Sequence, residues 1–326
     1  MIEYKKSNIR LWSRLGSCGA FGMAANELAQ TDDKVLMVTS DLCFYSGLDR
    51  FNLSYPDKLY NCGIAEQNMI GVAAGLAKEG FIPFATTYAT FASTRCADQV
   101  RVNLGYMKLN VKLVGLTAGL SVGILGPTHI SIEDLAIMRS IPNIVILSPA
   151  DCVETIKATI AAAKVAAPVY LRLSGPMNNP IVYNEDYNFE IGKAVKLRQG
   201  SDISIIATGT MVYNSLKAAE ILAERYSIQA SVVNMHTIKP LDIESINETC
   251  KSNLVVTVEE HSKIGGLGSA VAEYLAGKRN RPPQLILGLT DEYKHAGEYD
   301  YLIEQYGLTP EQIVEGILSK YKSIER

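Results

Sequence analysis

Lys34-Val-Leu-Met-Val-Thr-Ser40 is an unbroken apolar run with one charge at its start and two hydroxyl residues at its end. It is too short for an ordinary helix and does not alternate with polar residues. A run of this kind is the pattern of a strand buried on both faces, which parallel sheets require. The same signature recurs at 81–86, 111–117, 143–147 and 168–173. Between these runs lie longer segments with helical spacing, at 19–30, 65–79, 91–104, 132–139 and 151–165. Strands alternating with helices of this length predict a doubly wound α/β unit, with ligands at the carboxyl ends of the strands.

The alternation breaks at Ser174-Gly-Pro-Met-Asn-Asn-Pro-Ile-Val-Tyr-Asn-Glu-Asp-Tyr187, which is rich in Pro and Asn and has no apolar period. It then restarts, with strands expected at 203–207, 229–234, 254–258 and 284–287 and helices at 211–225, 242–250 and 268–276. The expected organisation is therefore two α/β domains, 1–185 and 190–326. The length of 326 residues suffices for both.

Charge is nearly balanced, with 31 Lys+Arg against 34 Asp+Glu. No basic stripe suggests nucleic acid, and no polybasic cluster suggests a membrane surface. The longest apolar stretch, 111–126, is interrupted by Lys112 and Thr117 and falls short of the roughly 20 apolar residues of a membrane span. The charged stretch 1–14 has no apolar signal core, so a cytoplasmic location is expected. The six cysteines show no Cys-x-x-Cys pair and the four histidines no zinc spacing.

Four stretches could carry chemistry. Asn61-Cys-Gly-Ile-Ala-Glu66-Gln-Asn-Met69 places Glu66 at the start of an apolar helix. An acid there complements the helix dipole. Among small apolar neighbours it is also desolvated, and can share a proton with a ring nitrogen. In Tyr88-Ala-Thr-Phe91, two aromatics three apart would share a helical face, as core or as a stacking wall for a flat heterocycle. Arg95, Asp98 and Arg101 read as an ion-pair set on one side of that helix. Gly119 to His129 is a Gly- and Pro-rich loop beyond a strand's carboxyl end, where His129 could bind a hydroxyl or relay a proton. Ile264-Gly-Gly-Leu-Gly268 lacks the spacing of a nucleotide-binding loop and reads as a tight helix start.

Together these residues resemble the transketolase family, over its middle and C-terminal domains and in the same order. Gly-Ile-Ala-Glu66-Gln-Asn-Met is similar to the family's glutamate motif, and Gly-Pro-Thr-His129 to its substrate-contacting histidine motif. Tyr88 and Phe91 fall where the family sets aromatics against the aminopyrimidine ring, and Ser40-Asp41-Leu42 is similar to its Asp-Leu pair near the cofactor. The resemblance implies thiamine diphosphate as cofactor, contacted by Asp41, Leu42, Ile64, Glu66, Tyr88 and Phe91, with Glu66 and His129 catalytic. It implies transfer of a two-carbon ketol unit from a ketose, free or phosphorylated, to an aldose acceptor.

The family's Gly-Asp-Gly motif, which holds diphosphate and Mg2+, is absent from this sequence. The resemblance then implies a partner chain, an N-terminal transketolase subunit carrying that domain, in a two-plus-two heterotetramer. The family's Asp before Gly-Pro-Thr-His is Leu125 here, its phosphate-binding Arg is Ser148, and a third aromatic is replaced by Thr94 or Arg95. Loss of hydrogen-bonding groups changes the substrates a site tolerates, so an unusual sugar acceptor is expected. Competing readings are the beta subunit of a 2-oxo acid dehydrogenase, 1-deoxyxylulose-5-phosphate synthase and a non-catalytic regulatory subunit. Gly-Pro-Thr-His129 and Asp98-Gln-Val-Arg101 favour transketolase over the first, the absent diphosphate domain disfavours the second, and Glu66, the aromatic pair and His129 disfavour the third.

Overall fold

The computed structural model describes residues 2–324; Met1, Glu325 and Arg326, the outermost ends of the two expected domains, lie outside the described residues. Six strands follow one another in the first half: β1 (Val35–Thr39), β2 (Leu59–Asn61), β3 (Ile82–Tyr88), β4 (Lys112–Ala118), β5 (Val145–Leu147) and β6 (Val169–Ser174). Six more follow among the described residues: β7 (Val195–Arg198), β8 (Ile203–Ala207), β9 (Ala230–Asn234), β10 (Thr237–Lys239), β11 (Leu254–Ser262) and β12 (Gln284–Leu289). They build two sheets, ordered β10-β5-β6-β4-β3-β1-β2 and β12-β11-β8-β9-β7. Every pairing is parallel except at two edges, β10 on β5 and β7 on β9. The α/β class with two parallel-sheet units thus holds.

Strand β1 is buried at all five positions, as its apolar run requires. Phe21, Phe51 and Phe84 pack with Met37, Leu116 and Leu171 on one side of the first sheet. On the other side Met69, Ile70 and Ala73 join Val38, Ala85 and Leu113. Burying each large apolar side chain contributes roughly 1.5–3 kcal/mol.

Three strands escape a sequence reading, each because it is too short to show a continuous apolar run. Strands β2 and β10 have three residues each. Strand β7 is a short edge strand that reads Val-Lys-Leu-Arg. The helix expected at 19–30 runs Lys6–Thr31 and turns a corner at Gly16, whose φ of 74° interrupts the helical geometry. Helices Asp49–Ser54, Tyr299–Gln305 and Pro310–Ile324 add to those expected. The stretch 91–104 is not a plain α-helix. Wide π-turns at Phe91–Arg95 and Val100–Tyr106 flank a short α-turn at Ala97–Gln99.

The two sheet units are joined by a buried polar seam. Asp134 and Arg172 form an ion pair at 2.8 Å with both side chains inaccessible to solvent. Arg172 Nη2 also donates to the backbone oxygen of Glu260 on β11, at 2.9 Å. No helix among the described residues is long and apolar enough to cross a membrane.

Candidate active site at the carboxyl ends of the first sheet

The segments leaving four parallel strands, β1 to β4, assemble the site. The loop after β1 carries Asp41, whose φ of 58° lies in the left-handed region. Asn61 at the end of β2 pins it: the Asp41 N–H donates to Asn61 Oδ1 at 3.0 Å, and Asn61 Nδ2 returns a bond to Asp41 Oδ1 at 3.0 Å. The same Asn61 Oδ1 accepts from the Gly63 N–H at 3.0 Å. One side chain therefore ties the Asp41-Leu42 loop to the turn that delivers Glu66. Leu42 is half-buried, and its N–H donates to Thr39 Oγ1 at 3.2 Å. Asp41 is exposed, and Ile64 is 80% exposed; both line the solvent side of the site rather than its interior.

Gly63, at φ 69°, allows the tight turn before the helix Glu66–Lys78. Glu66 is the first residue of that helix and only 5% exposed. A buried carboxylate needs a compensating partner. Arg95 supplies it, with Nη1 2.6 Å from Glu66 Oε1. This departs from the sequence expectation, in which Arg95 joins Asp98 and Arg101. Asp98 and Arg101 do pair, at 2.9 Å on the exposed surface, but Arg95 turns away from them to Glu66. Its guanidinium lies 4.0 Å from the centre of the Phe91 ring.

Tyr88 and Phe91 meet, though not on a helix face as expected. Tyr88 ends β3 and Phe91 opens the π-turn, and their ring centroids lie 5.9 Å apart. His129 completes the cluster, 5.7 Å from Tyr88 and 5.3 Å from Phe91, each edge-on. Burial raises the Tyr88 phenol above its ordinary range, with smaller contributions from Tyr45 and Cys18. His129 Nδ1 is 2.9 Å from Thr128 Oγ1, and that hydroxyl also reaches the Leu125 backbone oxygen at 3.4 Å. If the hydroxyl proton goes to Leu125, Nδ1 carries the imidazole proton and Nε2 is left as acceptor.

The His129 loop is braced by the second sheet unit. Gly119 and Ser131 exchange backbone bonds at 2.9 and 3.0 Å. The carboxylate of Glu260 accepts from the Leu120 N–H at 2.6 Å, and a Cβ on Gly119 would collide with it. The Gly297 N–H donates to the Gly123 oxygen at 3.1 Å. Leu125 is 46% exposed at the mouth beside His129, whereas Ser148 is wholly buried. A Ser148 hydroxyl therefore does not reach a substrate in this conformation. Ile264 to Gly268 forms the expected tight helix start; Glu259 fills it, accepting from the Leu267 and Gly268 N–H groups at 2.6 and 2.7 Å.

Glu66, Tyr88, Phe91 and His129 thus converge, linked through Arg95. Sequence reasoning misses Arg95 as the partner of Glu66 and Asn61 as the clamp. For Asn61, its place five residues before Glu66 is the available signal; for Arg95 it is the position four after Phe91. Among the described residues no group of three or more His, Cys, Asp or Glu is arranged to hold a metal.

Two linked α/β units, with a buried acid and an aromatic wall at the carboxyl ends of the first sheet, define the class. The transketolase pyrimidine-binding domain matches residues 17–178 and the transketolase C-terminal domain residues 192–313. The chain belongs to the transketolase family. It is 43% identical to the 6-deoxy-6-sulfo-D-fructose transketolase subunit of Clostridium sp., over 88% of this chain and 89% of that one. It is 37% identical to an apulose-4-phosphate transketolase subunit of Phocaeicola vulgatus, over 91% and 94% of the two chains. Among solved structures it superimposes on a split-gene transketolase described as an inactive beta4 tetramer. The TM-score is 0.85 at 39% identity, covering 95% of this chain and 99% of that one.

Proposed function

We propose that this chain is one subunit of a thiamine diphosphate-dependent transketolase that moves a two-carbon ketol unit from a ketose to an aldose acceptor. The carrying observation is the buried Glu66 carboxylate beside the Tyr88–Phe91–His129 ring cluster. This arrangement fits a flat heterocycle with a basic ring nitrogen: the half-buried Tyr88 and Phe91 each offer an aromatic face to stack against, and the acid is linked to Phe91 through Arg95. When bound, thiamine diphosphate supplies a carbon centre that acts as an electron sink.

In this reading Glu66 holds a proton against the pyrimidine ring nitrogen. Tyr88 and Phe91 orient the ring, and Asp41, Leu42 and Ile64 border it. His129, held at Nδ1 by Thr128, presents Nε2 to the oxygens of the transferred unit. We assign the diphosphate and its Mg2+ to an N-terminal transketolase subunit, in a two-plus-two assembly. The inactive tetramer of the split-gene relative and the subunit names of the two sugar-specific relatives support partner dependence. Those relatives are named for 6-deoxy-6-sulfo-D-fructose and apulose 4-phosphate, both ketoses, which supports an unusual ketose donor; the exposed Leu125, which offers no hydrogen-bonding side chain, supports an unusual acceptor. We place the division between the units at 185–190.

The test is Glu66→Gln in the complex purified with its native partner. Ketol transfer should fall by at least about a hundredfold, the range expected for loss of a positioned acid. Unchanged turnover would remove Glu66 from the mechanism.

A further inference from the structure

Arg95 engages two of the groups just assigned to the cofactor. Its guanidinium pairs with Glu66 Oε1 at 2.6 Å and lies 4.0 Å from the centre of the Phe91 ring. Its backbone oxygen is held by Gln67 Nε2 at 3.1 Å. The ring and the guanidinium stand four residues apart on the π-turn Phe91–Arg95, which is closed by the Cys96 N–H on the Phe91 oxygen at 3.1 Å. A guanidinium is a flat cation that stacks on aromatic rings and donates to carboxylates. Those are the two interactions an aminopyrimidine would make here. The same carboxylate and the same ring are thus already satisfied by the chain itself.

Resting on the functional reading above, we propose that Arg95 is a built-in competitor for the cofactor's pyrimidine, a latch that must swing away before the ring can dock. The latched state compensates the buried carboxylate while the site is empty. The Arg95 side chain is 46% exposed, so it has solvent into which to swing. Affinity for the cofactor is then reduced by the fraction of molecules in which the latch is closed. A cofactor that must first break a charge-assisted hydrogen bond binds more weakly than the bare pocket would allow.

The experiment is calorimetric titration of thiamine diphosphate, in excess Mg2+, into the complex with its native partner, which reads binding and not turnover. Arg95→Gln should tighten binding by roughly three- to tenfold, the equivalent of the net worth of one ordinary hydrogen bond. Arg95→Lys, which keeps the charge but loses the flat stack, should fall between wild type and Arg95→Gln. In a Glu66→Gln background the Arg95→Gln change should have less than about a twofold effect, because the competition for the carboxylate is gone. Equal or weaker binding by Arg95→Gln, with Glu66 intact, overturns the latch. Should Arg95→Gln fail to fold, Arg95→Lys decides by the same criterion. If neither wild type nor variant binds thiamine diphosphate, the cofactor assignment itself fails and the latch with it. If wild type binds and the variant gains nothing, the latch alone fails.

Discussion

At the scale of single residues, the polar groups of this chain divide into those that solvent can reach and those that the fold has sealed. His261 is sealed. Its Nδ1 lies 2.8 Å from the Ser262 oxygen, and its Nε2 faces the Ala136 N–H at 3.4 Å. A neutral ring with its proton on Nδ1 satisfies both. Burial pushes its pKa down to about 4, against opposing pulls from Asp134. The folded value lies below the unfolded one, so the unfolded chain binds more protons between about 4 and 6.5. Stability should fall as pH drops through that window and level off beneath it, by up to about 1.4 kcal/mol per pH unit. Urea denaturation of wild type and His261→Gln at pH 7 and pH 5 checks this: the variant should lose less on acidification. A second prediction concerns His129. Thr128→Val removes the partner of Nδ1; if the chain acts as proposed, ketol transfer should fall several-fold and its pH profile should shift, while Thr128→Ser should restore both. A pH profile unmoved by Thr128→Val would show that the hydroxyl does not set the ring's proton.

At the scale of elements, the loops matter more than the strands they leave. The loop after β4 carries His129 but is shaped by the second sheet unit, through Glu260 on the Leu120 N–H and Gly297 on the Gly123 oxygen. Gly119 sits at φ 70°, where a side chain is strained, and a Cβ there would strike Glu260. Gly119→Ala should therefore destabilise the protein by about 1–3 kcal/mol, through strain and a displaced buried carboxylate. It should also lower transfer activity more than its stability loss explains, because the loop moves with the carboxylate. Thermal unfolding and steady-state rates measured together separate the two effects. The π-turns belong to this scale as well. Helical spacing over 91–104 sets Arg95 with Asp98 and Arg101, whereas the structure, with a π-turn there, pairs it with Glu66.

At the scale of the whole molecule, the seam of Asp134, Arg172 and Glu260 welds one sheet unit to the other. Tyr170 OH and Arg172 Nε both donate to Asp134 Oδ2 at 2.8 Å. The guanidinium draws the Asp134 carboxyl below its usual range, against the opposing effect of burial. Breaking a buried pair leaves an uncompensated charge, so Asp134→Asn should cost about 3–5 kcal/mol of stability. It should also loosen the His129 loop, since Arg172 holds the backbone of Glu260 as well. A chemical denaturation midpoint near that of wild type would show the seam to be incidental.

Much of this is legible in the sequence, and the reason is periodicity. Continuous apolar runs announce the buried parallel strands, helical spacing announces the segments between them, and Gly, Pro and Thr mark the element ends near which Glu66, Tyr88, Phe91 and His129 stand. Those signals are local, because burial and turn geometry act on neighbouring residues. The strands β2 and β10 are not legible, since three residues with no apolar run around them carry no signal and form a strand only because a neighbour's edge is waiting. Nor is the pairing of Arg95 with Glu66, 29 residues away, or the bracing of the His129 loop by Glu260, 140 residues beyond Leu120. Charges and carbonyls find partners by where the folded backbone sets them down. The residue types at the site are therefore written in the sequence, while their partners, and so the state in which each one waits, are decided only by the tertiary structure.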